Sequence, residues 1–158
     1  ARSTPARYPD LLRALGERRV LALGEEVLAP PLFRRLRHVV TEAARVEDAV
    51  DRLRGADFTG FGSLMDASHE SLRTDFLVSS AELDELASIA REGGATGARL
   101  TGAGFGGCIV ALADRQTAAT VLDALGRHYY EPRGLVDGLD ARAFVAVPSA
   151  GASVERSS

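Results

Sequence analysis

Gly97-Ala98-Arg99-Leu100-Thr101-Gly102-Ala103-Gly104-Phe105-Gly106-Gly107-Cys108-Ile109-Val110-Ala111-Leu112 is the stretch whose reading settles the fold. Five glycines fall between Gly97 and Gly107, interrupting a run that otherwise reads as strand. Glycine loses more backbone entropy on folding than any other residue, so a cluster needs a reason: positive φ, or close approach of the backbone to something bound. A row of amide N–H groups with no side chains in front of them makes an anion cradle, and phosphate is its usual guest. Gly102, Gly104 and Gly107 also satisfy G-x-G-x-x-G, but the dinucleotide fingerprint requires a helix straight after the loop. Here Cys108–Ala113 follows, a short apolar run rich in strand formers and closed by Asp114. The spacing predicts a strand, a glycine turn and a second strand, and the dinucleotide reading fails. A Walker A loop fails too, because no Gly-Lys-Ser/Thr follows and all 19 basic residues of the chain are arginine. A glycine turn that merely lets two strands pack accounts for the local residues as well as a phosphate loop does.

Outward from the hairpin, helices dominate. Residues 1–9 carry two prolines and are expected to be flexible. A short helix is predicted around Leu11–Leu15, and Val20–Leu23 reads as a strand. Pro30-Pro31 opens a long helix that Gly55 ends. Along it Leu36, Val39, Val40, Ala43, Val46, Val50 and Leu53 recur at three- and four-residue spacing and predict one inward apolar face. A second helix is expected over Phe58–Leu72, with Phe61, Leu64, Met65, Ser68 and Leu72 inward. A third starts at Ser79, which forms a capping box with Glu82, and ends near Arg91. Asp114 caps a helix running to about Tyr129, and Ala141–Val147 reads as a final strand. Strands and helices in this order predict an α+β sandwich. The small-residue segment 149–158 reads as a flexible tail.

Composition excludes several classes. A net charge of −3 and a pI near 5.6 do not suit a nucleic-acid surface. No apolar run approaches the length of a membrane span. The single cysteine allows no internal disulfide and fits a reducing cytoplasm. The 158 residues are enough for one domain with a real core.

Gly60-Phe61-Gly62-Ser63-Leu64-Met65, Ser68-His69, Ser71-Leu72-Arg73, Asp75-Phe76, Val78-Ser79 and Glu82-Leu83-Asp84 stand in one ordered run before the glycine turn. With Gly97-Ala98-Arg99-Leu100-Thr101-Gly102 and Gly104-Phe105-Gly106-Gly107-Cys108, this run resembles the C-terminal half of the galactokinase family, within the GHMP kinase superfamily. Arg37-His38-Val39-Val40-Thr41-Glu42 and Arg45-Val46 resemble a helix of the same family. The resemblance covers about Arg34 to Val147. It implies a ferredoxin-like antiparallel sheet backed by helices over residues 30–148, with 1–29 a separate, partly flexible segment. It also implies, for the intact enzyme, ATP-dependent phosphorylation of galactose at the anomeric hydroxyl with Mg2+. The turn Thr101, Gly102, Ala103, Gly104, Phe105, Gly106 and Gly107 would face the nucleotide phosphates.

The family's sugar-binding E-H-x-D-Y segment and its P-x-x-x-G-L-S-S-S-A phosphate loop are not among these residues, and its catalytic Asp and Arg belong with them. The chain therefore reads as part of a longer kinase, inactive alone, without a catalytic or metal-binding residue of its own. The missing N-terminal domain is its expected partner, and self-association of the uncovered apolar surface is expected in its place. A related sugar kinase of the same superfamily, a galactokinase-like regulator, and a free-standing ferredoxin-like ligand-binding module are the alternatives.

Single residues invite simpler readings. His69 reads as a hydrogen-bonded structural histidine, because no partner stands near it in sequence. Cys108 reads as inert core packing, Asp84 and Glu85 as a solvated face, and Arg73 and Asp75 as ties for a turn. Gly104→Val is expected to reduce use of ATP while the sheet stays folded, if the amides must approach phosphate.

Overall fold

Seven α-helices and one hairpin, with short π and 3-10 segments at Leu72–Phe76, Gly126–Tyr130 and Glu131–Arg133, build residues 7–148, the part that the computed structural model describes: α1 (Tyr8–Leu15), α2 (Glu17–Val27), α3 (Pro30–Arg54), α4 (Phe58–Ser71), α5 (Ala81–Glu92), β1 (Gly97–Thr101), β2 (Cys108–Leu112), α6 (Ala118–Leu125) and α7 (Leu139–Arg142). Expectations of flexibility at residues 1–6 and 149–158 lie outside the described residues. Prolines at the first positions of α3 suit a helix start, where a missing N–H is no loss. Asp57 caps α4 by accepting from the Gly60 N–H at 2.8 Å. Ser80 caps α5 by accepting from the Leu83 N–H at 3.4 Å. The expected cap, Ser79, instead donates to Asp84 at 2.5 Å. Asp114 accepts from the N–H groups of Gln116 and Thr117, both at 2.8 Å, and so starts α6.

The expected strand over Val20–Leu23 is part of α2. Val20 and Gly24 are one helical turn apart and form its buried edge, with Gly24 against the side chains of Leu36 and Phe33 on α3. Docking of that edge outweighs the strand propensity of a short apolar run. The apolar face expected to point inward on α3 is also corrected. Val40 is buried, but Val39, Val46, Val50 and Leu53 are exposed. One flank of the helix meets α2 and the other meets α4, where His38 touches Ser71 and Glu42 touches Ser68. The stripe lies between those two contacts.

The chain packs around α5. Leu86, Ala87, Ile89 and Ala90 meet Ala98 of β1, Val121 and Leu125 of α6, and Tyr129. A smaller cluster joins Leu72, Leu83 and Leu100, with Phe76, Val78 and Ile109 against it. Leu83 and Leu100 are each 1% exposed, and burial of such a side chain contributes about 1.5–3 kcal/mol. This second cluster lies under the base of the glycine turn.

The sheet is smaller than the ferredoxin-like one expected. β1 and β2 pair antiparallel from Gly97↔Leu112 to Thr101↔Cys108, and no other strand occurs among the described residues. Ala141–Val147 is not a strand: α7 ends at Arg142, and Phe144, Val145 and Val147 are exposed with no ladder partner. Strand-forming side chains are not enough without a neighbour to share backbone hydrogen bonds. The architecture is a mostly helical α+β fold with a two-stranded antiparallel sheet. Cys108 is exposed rather than buried, because Ile109 and Ala111 take the inward face of β2. No helix among the described residues is long and apolar enough to cross a membrane.

Candidate functional site

The glycine turn is seated on its neighbours. Its backbone takes positive φ at Gly102 (88°), Gly104 (82°), Phe105 (60°), Gly106 (126°) and Gly107 (96°). Only glycine adopts most of these angles without strain. The Phe105 N–H donates to the Val78 carbonyl at 2.7 Å. A methyl group on Gly104 would overlap that same oxygen, whereas at Gly102, Gly106 and Gly107 it would meet nothing within 4 Å. The glycines therefore do two jobs. Gly104 lets the turn dock on Val78, and Gly106 and Gly107 leave the backbone open to solvent.

The amides divide the same way. That of Phe105 faces inward, while those of Gly102, Ala103, Gly104, Gly106 and Gly107 find no acceptor among the described residues. Thr101 is exposed at the end of β1, and the Phe105 ring is 77% exposed. No acidic residue occurs in the stretch from Gly97 to Cys108 to repel an anion. Its one charge, Arg99, turns away to Glu42 at 3.2 Å. Glu42 also accepts from Ser68 at 2.6 Å and pairs with Arg45. Burial would raise its pKa, but the hydrogen bonds from Ser68 and Arg45 and the charges of Arg45 and Arg99 outweigh that and lower it. Two surface hollows, one lined by Glu17, Arg18, Leu21, Ala22 and Glu25 and the other by residues of α5 and α6, do not include the turn.

Side chains of α4 hold the outer edge of β1. Asp66 accepts from the Ala98 N–H at 2.8 Å, and His69 Nδ1 accepts from the Leu100 N–H at 3.1 Å. Residues three apart on a helix thus meet residues two apart on a strand. Both spacings put side chains and amides on one side of their element. Beyond Ser71 the helix widens into a π-turn over Leu72–Phe76, and Leu77 reverses the chain at φ 59°. Buried Asp75 pairs with Arg37 through both carboxylate oxygens, one at 2.9 Å, and the Asp75 carbonyl accepts from Arg35 at 2.6 Å. The hydrogen bond from Arg37 holds the Asp75 carboxyl below its usual range. Asp75 ties a turn, as expected, and Arg73 pairs with Glu70 at 2.8 Å.

Asp84 is half-buried rather than part of a fully solvated face. It lies 3.2 Å from His69 Nε2 and accepts from Ser79. Glu85 pairs with Arg133 at 2.6 Å. Sequence reading missed the roles of Val78, Asp84 and Asp66, which need neighbours distant in the chain. The one visible signal was the spacing of Asp66 and His69 on a helix facing a strand.

Burial lowers the pKa of both His38 and His69. Glu42 and Asp75 oppose the shift at His38 while Arg45 and Arg99 add to it; at His69, Asp84 opposes it and Arg91 and Arg73 add to it. Each folded-state value lies below the unfolded value of about 6.5. Between the two, the unfolded chain binds more protons, so stability is full above about pH 6.5 and falls as the pH drops toward the lowered values. We expect a lower melting temperature at about pH 5.5 than at about pH 8, before carboxylates begin to titrate. His69→Gln should shrink that difference. An equal difference in the variant would show that His69 is not one of the groups responsible.

Comparison with known proteins identifies the family. The family model described as GHMP kinases C terminal matches residues 41–131. A galactokinase of Mycobacterium tuberculosis is 45% identical over 117 residues, which is 73% of this chain and 32% of that protein. A galactokinase of Haemophilus influenzae is 46% identical over 110 residues, 68% of this chain and 29% of its own length. Lactococcus lactis galactokinase, solved with galactose, superposes with a TM-score of 0.70 at 38% identity, over 78% of this chain and 32% of that one. L. major mevalonate kinase, solved with R-mevalonate, gives 0.53 at 27% identity, over 77% of this chain and 35% of that one. The chain spans about a third of the length of these relatives. With the family model covering more than half of its residues, the chain belongs to the GHMP kinase C-terminal family.

Proposed function

We propose that this chain is the C-terminal portion of a galactokinase and that its glycine turn helps seat the phosphates of ATP. The carrying observation is the division of the turn: Gly104 and Phe105 anchor it on Val78, while Gly106 and Gly107 present open backbone. Phosphoryl transfer depends chiefly on positioning and on neutralising charge. A seated turn with free amides supplies the first, and its N–H dipoles contribute to the second. Thr101, Gly102 and Ala103 lead into the cradle, and Thr101 adds an exposed hydroxyl beside it. The Phe105 amide belongs to the anchor rather than to the nucleotide.

The turn does not fit Mg2+. None of its residues is a carboxylate, and no group of three or more His, Cys, Asp or Glu side chains able to hold a metal occurs among the described residues. Ligands for the metal that accompanies ATP are therefore left to the rest of the kinase, with galactose recognition and the catalytic residues. A cytoplasmic setting suits this reading. The exposed stripe on α3 and the open turn are surfaces for the remainder of the kinase to cover, or for a second copy when it is absent.

The test is direct. The purified 158-residue chain should form no galactose 1-phosphate from ATP and galactose. The same chain joined to a galactokinase N-terminal region should form it. Turnover by the chain alone would defeat the reading, as would a joined protein that folds and phosphorylates only a different sugar.

A further inference from the structure

His69 is buried and is not needed to explain the turn as an anion cradle. Its contacts nevertheless join both ends of that turn. Nδ1 accepts from the Leu100 N–H, two residues before Gly102. An accepting Nδ1 puts the proton of the neutral ring on Nε2. Nε2 lies 3.2 Å from Asp84 Oδ1, off the direction a full hydrogen bond would take, so the contact is chiefly electrostatic. The same Asp84 oxygen accepts from Ser79 Oγ at 2.5 Å. Ser79 follows Val78, whose carbonyl receives the Phe105 N–H at 2.7 Å and whose backbone meets Gly104. One path therefore runs from the base of the turn through the imidazole, Asp84, Ser79 and Val78 to its tip.

We propose that His69 is a positioning residue for the glycine turn, setting where Val78 stands and hence where Gly104 and Phe105 dock relative to β1. Burial favours the neutral ring with a proton on Nε2, which keeps a positive edge toward Asp84. Asp84 so held fixes Ser79, and Ser79 fixes the carbonyl beside it. The ring touches no open amide of the turn and takes no part in chemistry. Its effect on ATP rests on the phosphate reading of the turn, but its effect on the turn's seat does not.

Two substitutions separate the ring's two nitrogens. His69→Asn keeps an acceptor near Nδ1 and has nothing near Nε2, while His69→Gln extends an N–H donor toward Asp84. Amide hydrogen exchange in this chain, followed by NMR, reads each site. In His69→Asn the Phe105 amide should exchange about tenfold faster, the size of one lost hydrogen bond, while Leu100 and the α5 core stay protected. His69→Gln should restore Phe105. Ser79→Ala, which leaves the imidazole in place, should speed Phe105 by a similar factor, and combining it with His69→Asn should add little.

Uniform loss of protection across α5, β1 and the turn in His69→Asn would mean a general core role and overturn the proposal. So would an unchanged Phe105 in Ser79→Ala, a variant mild enough to stay folded. The phosphate reading stands or falls separately, on substitution of Gly106 in the joined kinase.

Discussion

Gly106→Val, placed in the chain joined to a galactokinase N-terminal region, should lower kcat/KM for ATP by about 100-fold, the scale of losing one preorganised backbone donor. A Cβ at that position meets nothing within 4 Å, so the side chain starts into open space rather than against the protein. Its φ of 126° is the only local cost, and strain of that kind is worth about 1–3 kcal/mol. Gly104→Val is the contrasting variant. There the side chain meets the Val78 carbonyl, so the turn must leave its seat and stability falls further together with activity. Gly104→Val alone therefore cannot separate phosphate binding from packing, contrary to the expectation drawn from the sequence. The pair can. If Gly106→Val stays folded and keeps near-normal kcat/KM, the open amides have no role with ATP.

The second large effect belongs to Gly62, where α4 and β1 meet backbone to backbone. A methyl on Gly62 would run into the Thr96 carbonyl, and one on Gly97 into the carbonyl of Gly62. Helix propensity alone favours alanine at a mid-helix glycine by about 1 kcal/mol. Overpacking opposes it by about 1–3 kcal/mol, and here the obstacle is main chain that no rotamer change can move. The clash should win. Gly62→Ala should lower stability modestly, and Gly62→Val by about 3 kcal/mol, roughly 6–12 °C in melting temperature for a chain of this size. The variant should also free the Ala98 and Leu100 amides, which reach Asp66 and His69 only because the two backbones are close. A Gly62→Ala protein as stable as the parent would refute this account.

These two glycines show where legibility stopped. The hairpin, the long helix from Pro30, the helices at Phe58 and Ala81 and the one after Asp114 followed from local patterns: proline at a helix start, the Asp114 cap, three-to-four spacing and a glycine cluster between strand formers, although the cap of the helix at Ala81 is Ser80 and not Ser79. Short apolar runs misled. Val20–Leu23 and Ala141–Val147 have strand-like side chains, yet one is drawn into a helix by docking on α3 and the other has no neighbour to pair with. Periodicity on α3 located an apolar stripe correctly but could not say whether anything covers it. The core contacts pass along its flanks instead.

By itself the sequence determined what each segment's backbone can do: where helices start, where the chain must take positive φ, and that a hairpin with a bare turn joins two short strands. These are properties of residues and their near neighbours, set by sterics and hydrogen-bonding choices within a few positions. Tertiary structure alone decided which glycine anchors the turn and which ones open it, because the Val78 carbonyl lies 26 positions before Gly104 in the chain. It likewise brought Asp84 to His69 and removed Cys108 from the core. Contact between residues far apart in the chain is fixed by how whole elements pack, and no local preference encodes it.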